Sequence, residues 1–502
     1  MESRDSITIM MSIRDYIHKD NQDCLVVYNV LRKGFDEICR RHDPCLNLIS
    51  IFFADLMDII THYILLRNEV DNLSGSVDFR SFAPVNNFPY YIGYDDVLNG
   101  IDFEHKHYEK VAMGSIKSRS AGRLMNAAMR LRRQPSLTIG VFPGMHCMGR
   151  FRCKFLLEVP AISVPDFKAQ LEIVFRCIDE IWQMLALSVP AENMKQLFKR
   201  HIALYVKENT ENPRFDIDVL VSRKTTLISE RIVAALCCVQ HIPVVNIFHG
   251  EGFGLLDDPI DSYGLKVNAD AVLGYGPFFV ETPTDFPLSQ FLYKKPYYIC
   301  ADSDIVRRLY KGPEVSLVSS LDDKRIMYVP TSFSGARFRI GPYRDMPDSF
   351  YLRWHEQLIA QFPSLIWKGH VKEKARRDLM PSNAKMLTRR RFEKCLDAAD
   401  IFFFDYVSSA FFIACATDKP IVFFDIGIRN ITPRAYELIK RRCIIVKVNL
   451  DSVGDLKEEI RAQLRDPRVN EIAPRCSLGL DNRKGRFETL YEWIAQNVKV
   501  KQ

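Results

Sequence analysis

The sequence predicts an α/β protein of two doubly wound domains behind a helical N-terminal extension. Three observations predict it. At 502 residues the chain is too long for one ordinary core. From residue 137 onward, short apolar runs bounded by loops alternate with segments of helical periodicity, the signature of βαβ units and parallel sheets. The alternation is interrupted once, by a Pro- and aromatic-rich segment at 275–323, and then resumes.

Residues 1–70 are expected to be mostly helical, because Val26, Val27, Val30, Leu31 and Phe35 recur at helical spacing and the run at 46–66 continues the pattern. Residues 71–130 give no clear pattern. The run at 137–142, ended by Pro143 and Gly144, predicts a strand. Residues 165–205 predict a helical stretch, with Leu171, Val174, Phe175, Ile178, Ile181 and Trp182 on one stripe. A strand at 217–221, a helix at 227–239 and a strand at 242–248 then read as one βαβ unit, with a further strand at 271–274. The segment 275–323 is expected to lead the chain out of the first domain. The second half predicts strands at 325–330, 365–368, 401–404, 421–424 and 444–448, and helices at 349–362, 389–398 and 408–417. An amphipathic helix at 485–500 ends the chain.

Composition narrows the function. The net charge of +7 is small for this length and suits a protein that meets phosphates. No long Lys/Arg stripe with interleaved aromatics occurs, so nucleic acid is not an expected partner. The thirteen cysteines form no C-x-x-C pair and are expected as reduced, mostly buried thiols in a cytoplasmic protein. The apolar window at 46–66 carries Asp55, Asp58 and His62, which argues for a buried helix rather than a spanning one. A peripheral membrane contact is compatible with this composition.

The sharpest chemical feature is Asp405-Tyr406-Val407-Ser408-Ser409, between an apolar strand and a helix. In open parallel sheets, ligands gather beyond the carboxyl ends of strands, and a helix start offers unpaired N–H groups to an anion. Simple N-capping by Ser408 explains the same residues. Asp302-Ser303-Asp304 is a D-x-D triplet of the kind that holds a divalent ion on a diphosphate, but it precedes a helical run, and Asp302 is expected as its N-cap. His105, His107, His146 and Cys147 lack further ligands at zinc spacing. No metal, no other cofactor and no P-loop are expected.

Read together, residues 398–425 resemble the donor-binding segment of the CDP-glycerol glycerophosphotransferase and capsular-polysaccharide transferase group, with Ala-Asp before the strand, Asp-Tyr and Ser-Ser at the helix start, and Lys419-Pro420 before the next strand. Val407 interrupts the group's Asp-Tyr-Ser-Ser pattern. Tyr328-Val329-Pro330-Thr331-Ser332 is similar to the group's strand-Pro-Thr turn. Lys368-Gly369-His370 is similar to its Lys-x-His-Pro element, with Val371 in place of proline. Phe248-His249-Gly250 is similar to its His-Gly turn, whose histidine is the proposed base.

The resemblance implies two facing Rossmann-like domains of the GT-B type: an extension at 1–130, an acceptor domain at 131–310, a donor domain at 315–485 and a bracing helix at 486–502. It also implies a metal-independent glycosyl- or polyol-phosphate transferase. Its donor would be a nucleotide-activated sugar, its acceptor a glycan or glycolipid, and its setting surface polysaccharide (capsule) biosynthesis. His249 or Glu251 would take the acceptor proton, with Gly250 and Gly252 allowing close approach. Thr331, Ser332, Arg339, Lys368, His370, Asp405, Ser408 and Ser409 would bind the donor phosphates. Two other functions fit the same residues: a sugar-nucleotide epimerase of similar fold, and an inactive sugar-nucleotide-binding subunit of a polysaccharide assembly complex.

Overall fold

Six short strands build the first sheet: β1 (Thr138–Val141), β2 (Arg152–Phe155), β3 (Val219–Ser222), β4 (Val244–Ile247), β5 (Ala271–Tyr275) and β6 (Tyr297–Ala301). Every pairing is parallel, in the order β2-β1-β3-β4-β5-β6. The computed structural model describes residues 13–67, 138–141, 152–155, 161–187, 190–208, 210–222, 228–248, 266, 268–275, 294–310, 320–330, 337–339, 345–369, 385–387, 390–427, 431–464 and 486–498.

Five helices go with this sheet: α1 (Ile13–Cys39), α2 (Leu48–Arg67), α3 (Phe167–Leu185), α4 (Ala191–Ala203) and α5 (Ile228–Val239). A parallel sheet has to be covered on both faces. Here α5 covers one: Val233, Ala234 and Cys237 pack on Leu220 and Val244. The other side of α5, with Ile228, Ile232 and Leu236, joins a large core shared with α1–α4. Because α5 is enclosed on both sides, it is apolar almost all round. The extension is thus a helical layer built onto the sheet through α5. Gly34 permits the tight crossing of α1 over α3, since a Cβ there would lie 2.5 Å from Cys177 Sγ and 2.8 Å from Ile49 Cδ1.

The second sheet consists of β7 (Ile326–Val329), β10 (Ile366–Trp367), β11 (Lys385–Met386), β12 (Ile401–Phe404), β13 (Ile421–Asp425) and β14 (Ile444–Lys447). It too is parallel throughout, in the order β11-β10-β7-β12-β13-β14. A separate antiparallel pair, β8 (Arg337–Arg339) with β9 (Asp345–Pro347), lies between β7 and β10 in the chain. The accompanying helices are α6 (Asp304–Leu309), α7 (Asp348–Gln361), α8 (Ser409–Cys415), α9 (Pro433–Lys440) and α10 (Leu456–Leu464). Side chains alternate across the strands. Tyr328, Trp367, Ile401, Phe403 and Phe424 face Trp354 and Leu358 of α7 and Ile460 of α10. Met327, Val329, Phe402, Phe404 and Phe423 face α8, α9 and Val306 of α6.

The last helix, α11 (Arg486–Asn497), follows the second sheet in the chain but packs on the first. Leu490 and Ile494 cover the face of the first sheet formed by Val219, Val221, Val245, Leu273 and Ile299. The chain therefore passes between the two sheets twice, once after β6 and once before α11. The earlier passage is abrupt: Ala301 is in the first sheet's core and Val306 in the second's.

Several expectations need correction. The stretch 165–205 is two helices, because Ala186 turns left-handed (φ 49°) and Pro190 follows. The Pro-rich segment contains an unexpected sixth strand, β6, before the helix α6, which was expected there. Ser303, not Asp302, caps α6, its hydroxyl accepting from Val306 N–H at 3.5 Å, while Asp302 is buried. The helix expected at 389–398 is a pair of 3-10 turns, Phe392–Lys394 and Leu396–Ala398. There the Lys419 ammonium donates to Leu396 O and Ala399 O, each at 2.5 Å, and so occupies carbonyls that a continuing helix would use. Cys45 and Cys238 form a disulfide, with Cα atoms 6.1 Å apart, which ties the helical layer to α5. Among the described residues, no helix is long and apolar enough to cross a membrane.

Candidate functional site

Where chain order reverses in a parallel sheet, the loops on either side diverge and leave a crevice at the carboxyl ends of the strands. In the second sheet the reversal falls between β7 and β12: from β7 the chain runs out to β10 and β11, and from β12 to β13 and β14. In the first sheet it falls between β1 and β3.

Three sequence segments singled out above arrive at the second crevice on adjacent strands. Pro330 follows β7, Lys368 follows β10, and Asp405 follows β12. The register places Trp367 beside Tyr328, and Phe404 beside Val329, so these ends are level. Lys368 is buried. Its backbone N–H donates to Tyr328 O at 2.9 Å and its ammonium donates to Gly369 O at 2.7 Å.

Asp405 is also buried and turns into the core. It continues the alternation of β12, so its carboxylate lies on the side of Phe403 and α7. There it accepts from Tyr328 O–H and, at 3.2 Å, from Trp354 Nε1–H, which also reaches Tyr328 Oη at 2.9 Å. His355, Trp367 and Phe424 wall this group with edge-to-face rings; the centroid of His355 lies 4.6 Å from that of Trp367.

Beyond Asp405 the chain makes a tight turn into α8. Val407 is buried on the opposite face, among Phe404, Phe411 and Phe412. Ser408 is the N-cap, its hydroxyl accepting from Phe411 N–H at 3.4 Å. The capping explanation therefore accounts for Ser408, and α8 is only seven residues long. Ser409, the first residue of α8, is exposed.

The remaining expected residues are placed less fully. Arg339 ends β8, its backbone paired with Asp345. Thr331, Ser332 and His370 lie outside the described residues, as do His249, Gly250, Glu251 and Gly252. Phe248, which precedes His249, leaves β4 at its carboxyl end, donating its N–H to Leu273 O at 2.8 Å. Among the described residues, no group of three or more His, Cys, Asp or Glu is arranged to hold a metal ion. Two residues beneath the crevice, Trp354 and His355, carried no signal in the sequence, because their partners are distant strands and only an α-helical period marks them.

Burial holds the His355 imidazole down to about 3, far below its ordinary value near 6.5. The folded state thus refuses a proton that the unfolded chain accepts. Stability is full above about pH 6.5 and falls as the pH drops through the window toward 3, by about 1.4 kcal/mol per unit. Urea unfolding at pH 6.5 and pH 5 is expected to show a loss of about 2 kcal/mol that His355→Phe abolishes. An unchanged slope in the variant would assign the acid sensitivity elsewhere.

No family model matches the chain, and no curated protein matches it. Solved structures that resemble it include Arabidopsis thaliana UGT89C1 complexed with UDP, at 12% identity and TM-score 0.36 over 74% of this chain and 95% of that one. The glycosyltransferase SnogD from Streptomyces nogalater matches at 12% identity and TM-score 0.34, over 72% of this chain and 98% of that one. UDP-N-acetylglucosamine 2-epimerase from Rickettsia bellii matches at 10% identity and TM-score 0.35, over 72% and 96%. Likenesses this loose bear on neither activity nor ligand, and what this chain itself shows is an α/β protein with two parallel sheets.

Proposed function

We propose that this chain is a metal-independent glycosyl- or polyol-phosphate transferase of GT-B type, with the nucleotide donor at the crevice between β7 and β12. One observation carries the proposal. Three short segments, far apart in sequence and each matching a donor-site element of the same transferase group, end on three neighbouring strands around one crevice. In a parallel sheet every segment that follows a strand reaches the same edge, so the support lies in the adjacency of these three strands, on either side of the point where chain order reverses.

In this proposal the diphosphate lies over the strand ends, with Lys368 as the cationic partner and Ser409 as a hydroxyl donor. Thr331, Ser332 and His370 complete the donor set by resemblance, and Arg339, which ends β8, is a further cationic candidate. The acceptor binds on the first sheet's side, where His249 or Glu251, just past β4, removes the proton from the attacking hydroxyl. Attack on the activated carbon or phosphorus breaks its bond to the nucleotide phosphate, which leaves as the anion stabilised by the donor set. The acceptor is a glycan or glycolipid and the setting surface polysaccharide assembly, in the cytoplasm or at the inner face of the membrane.

A thermal-shift screen over CMP, CDP, UDP, GDP and dTDP tests the donor site. At least one is expected to raise the melting temperature by a few degrees, since a ligand at 100 times its Kd adds about 2.7 kcal/mol. Titration of that nucleotide into Ser409→Ala is expected to show roughly fivefold weaker binding, and into Lys368→Met tenfold or more. If none of the five shifts the transition, the donor assignment is wrong. Release of free nucleotide from a donor without any acceptor, with a sugar of changed configuration, would replace transfer by epimerisation.

A further inference from the structure

We infer that Tyr328, Trp354 and Asp405 are positioning residues, which with Val407 pin the turn at 405–408 from both faces of the sheet and so set the donor crevice. The inference rests on the donor site proposed above and changes the part played by Asp405, which is an anchor of the turn rather than a ligand.

The geometry is specific. Tyr328 belongs to β7 and Asp405 follows β12, the two strands that flank the crevice. The Tyr328 hydroxyl donates across the gap to the Asp405 carboxylate, and Trp354 Nε1–H from α7 lies 2.9 Å from one and 3.2 Å from the other. All three residues are buried. A buried carboxylate is costly unless it is hydrogen-bonded, and here Tyr328 and Trp354 supply the donors. What hydrogen bonds add is direction, because they hold only over a narrow range of distance and angle. Here that direction fixes β7, β12 and α7 against one another at the strand ends.

Val407 supplies the second anchor. It is the residue that interrupts the Asp-Tyr-Ser-Ser pattern, and its side chain is buried on the α8 face of the sheet. With Asp405 held below and Val407 held above, Tyr406 and the start of α8 have one course, which leaves Ser409 exposed beside the crevice. The insertion is therefore accommodated by a residue that fills the core, and the serines keep their place at the helix start.

Tyr328→Phe is the isosteric test, read by amide hydrogen exchange on the full chain. Deuterium uptake is expected to rise severalfold in peptides covering 405–412 and to stay unchanged across β13 and β14. Ile460→Val, a loss of packing elsewhere in the same core, is expected to lower the melting temperature without that local change. Equal uptake at 405–412 in Tyr328→Phe and wild type, or a rise spread over the whole sheet, would overturn the inference. The nucleotide screen separates it from the donor assignment. Wild type that binds one of the five nucleotides is expected to bind it about five- to tenfold more tightly than Tyr328→Phe, and equal affinity would overturn the inference alone. Wild type that binds none, with local uptake still raised, would overturn the donor assignment and leave the anchoring of the turn.

Discussion

Replacing Arg231 with alanine is expected to destabilise the first sheet and its helical layer by about 3–5 kcal/mol. Arg231 lies on α5 and is 1% exposed; Asp55 lies on α2 and is fully buried. The guanidinium donates through Nη2 to Asp55 Oδ2 at 2.5 Å and through Nε to Ile51 O at 2.7 Å. His201 of α4 lies 3.8 Å from the other carboxylate oxygen. The variant leaves a carboxylate enclosed by three helices without its cation, and removes a second, charged donor from the carbonyl of Ile51. Asp55→Leu combined with Arg231→Met is expected to recover most of the loss, since removing both charges avoids the uncompensated one. Urea unfolding monitored by circular dichroism checks both. A single variant within about 1 kcal/mol of wild type would mean that the carboxylate finds another partner, and would overturn the prediction.

Asp55 also shows what the sequence did and did not contain. Its presence in the apolar run at 46–66 already argued against a spanning helix, because a charge there needs a partner. The partner itself was out of reach, 176 residues away on another element. The same division runs through the fold. Strands buried on both faces, such as β12 with Phe402, Phe403 and Phe404, read directly as continuous apolar runs. Of the four edge strands of the two parallel sheets, β14 (Ile444–Lys447) also read as an apolar run, but β2, β6 and β11 did not. At one edge of the first sheet β2 is Arg152-Cys-Lys-Phe155, at the other β6 opens with the exposed Tyr297 after Pro296, and β11 is two residues long. A strand with one neighbour and one half-solvated side has no reason to be apolar, so its composition blends into loop. The candidate site divides likewise. Local motifs marked Lys368, Asp405 and Ser408. The contact that turns Asp405 inward, with Tyr328 77 residues away and Trp354 51 away, is a product of topology.

Arg442→Ala is expected to cost on the order of 3–5 kcal/mol and to loosen α8 in particular. A seven-residue helix cannot sustain itself on its own hydrogen bonds. Its start is held by Ser408, and its end by Arg442, which is 1% exposed. Nε of Arg442 donates to Cys415 O at 3.1 Å, and Nη2 donates to Thr417 O and Lys419 O, each at 2.8 Å. A cation at this end also opposes the negative pole of the helix dipole. Without the guanidinium, three carbonyls lose a charged donor, and each left unsatisfied in the interior costs about 1–3 kcal/mol. Because α8 begins at the crevice, the damage is expected to reach nucleotide binding as well as stability. Chemical denaturation together with titration of whichever nucleotide binds wild type separates the two effects. A variant that is less stable yet binds with unaltered affinity would show that the crevice is shaped by the turn at 405–408 alone and that the C-terminal end of α8 serves only the core.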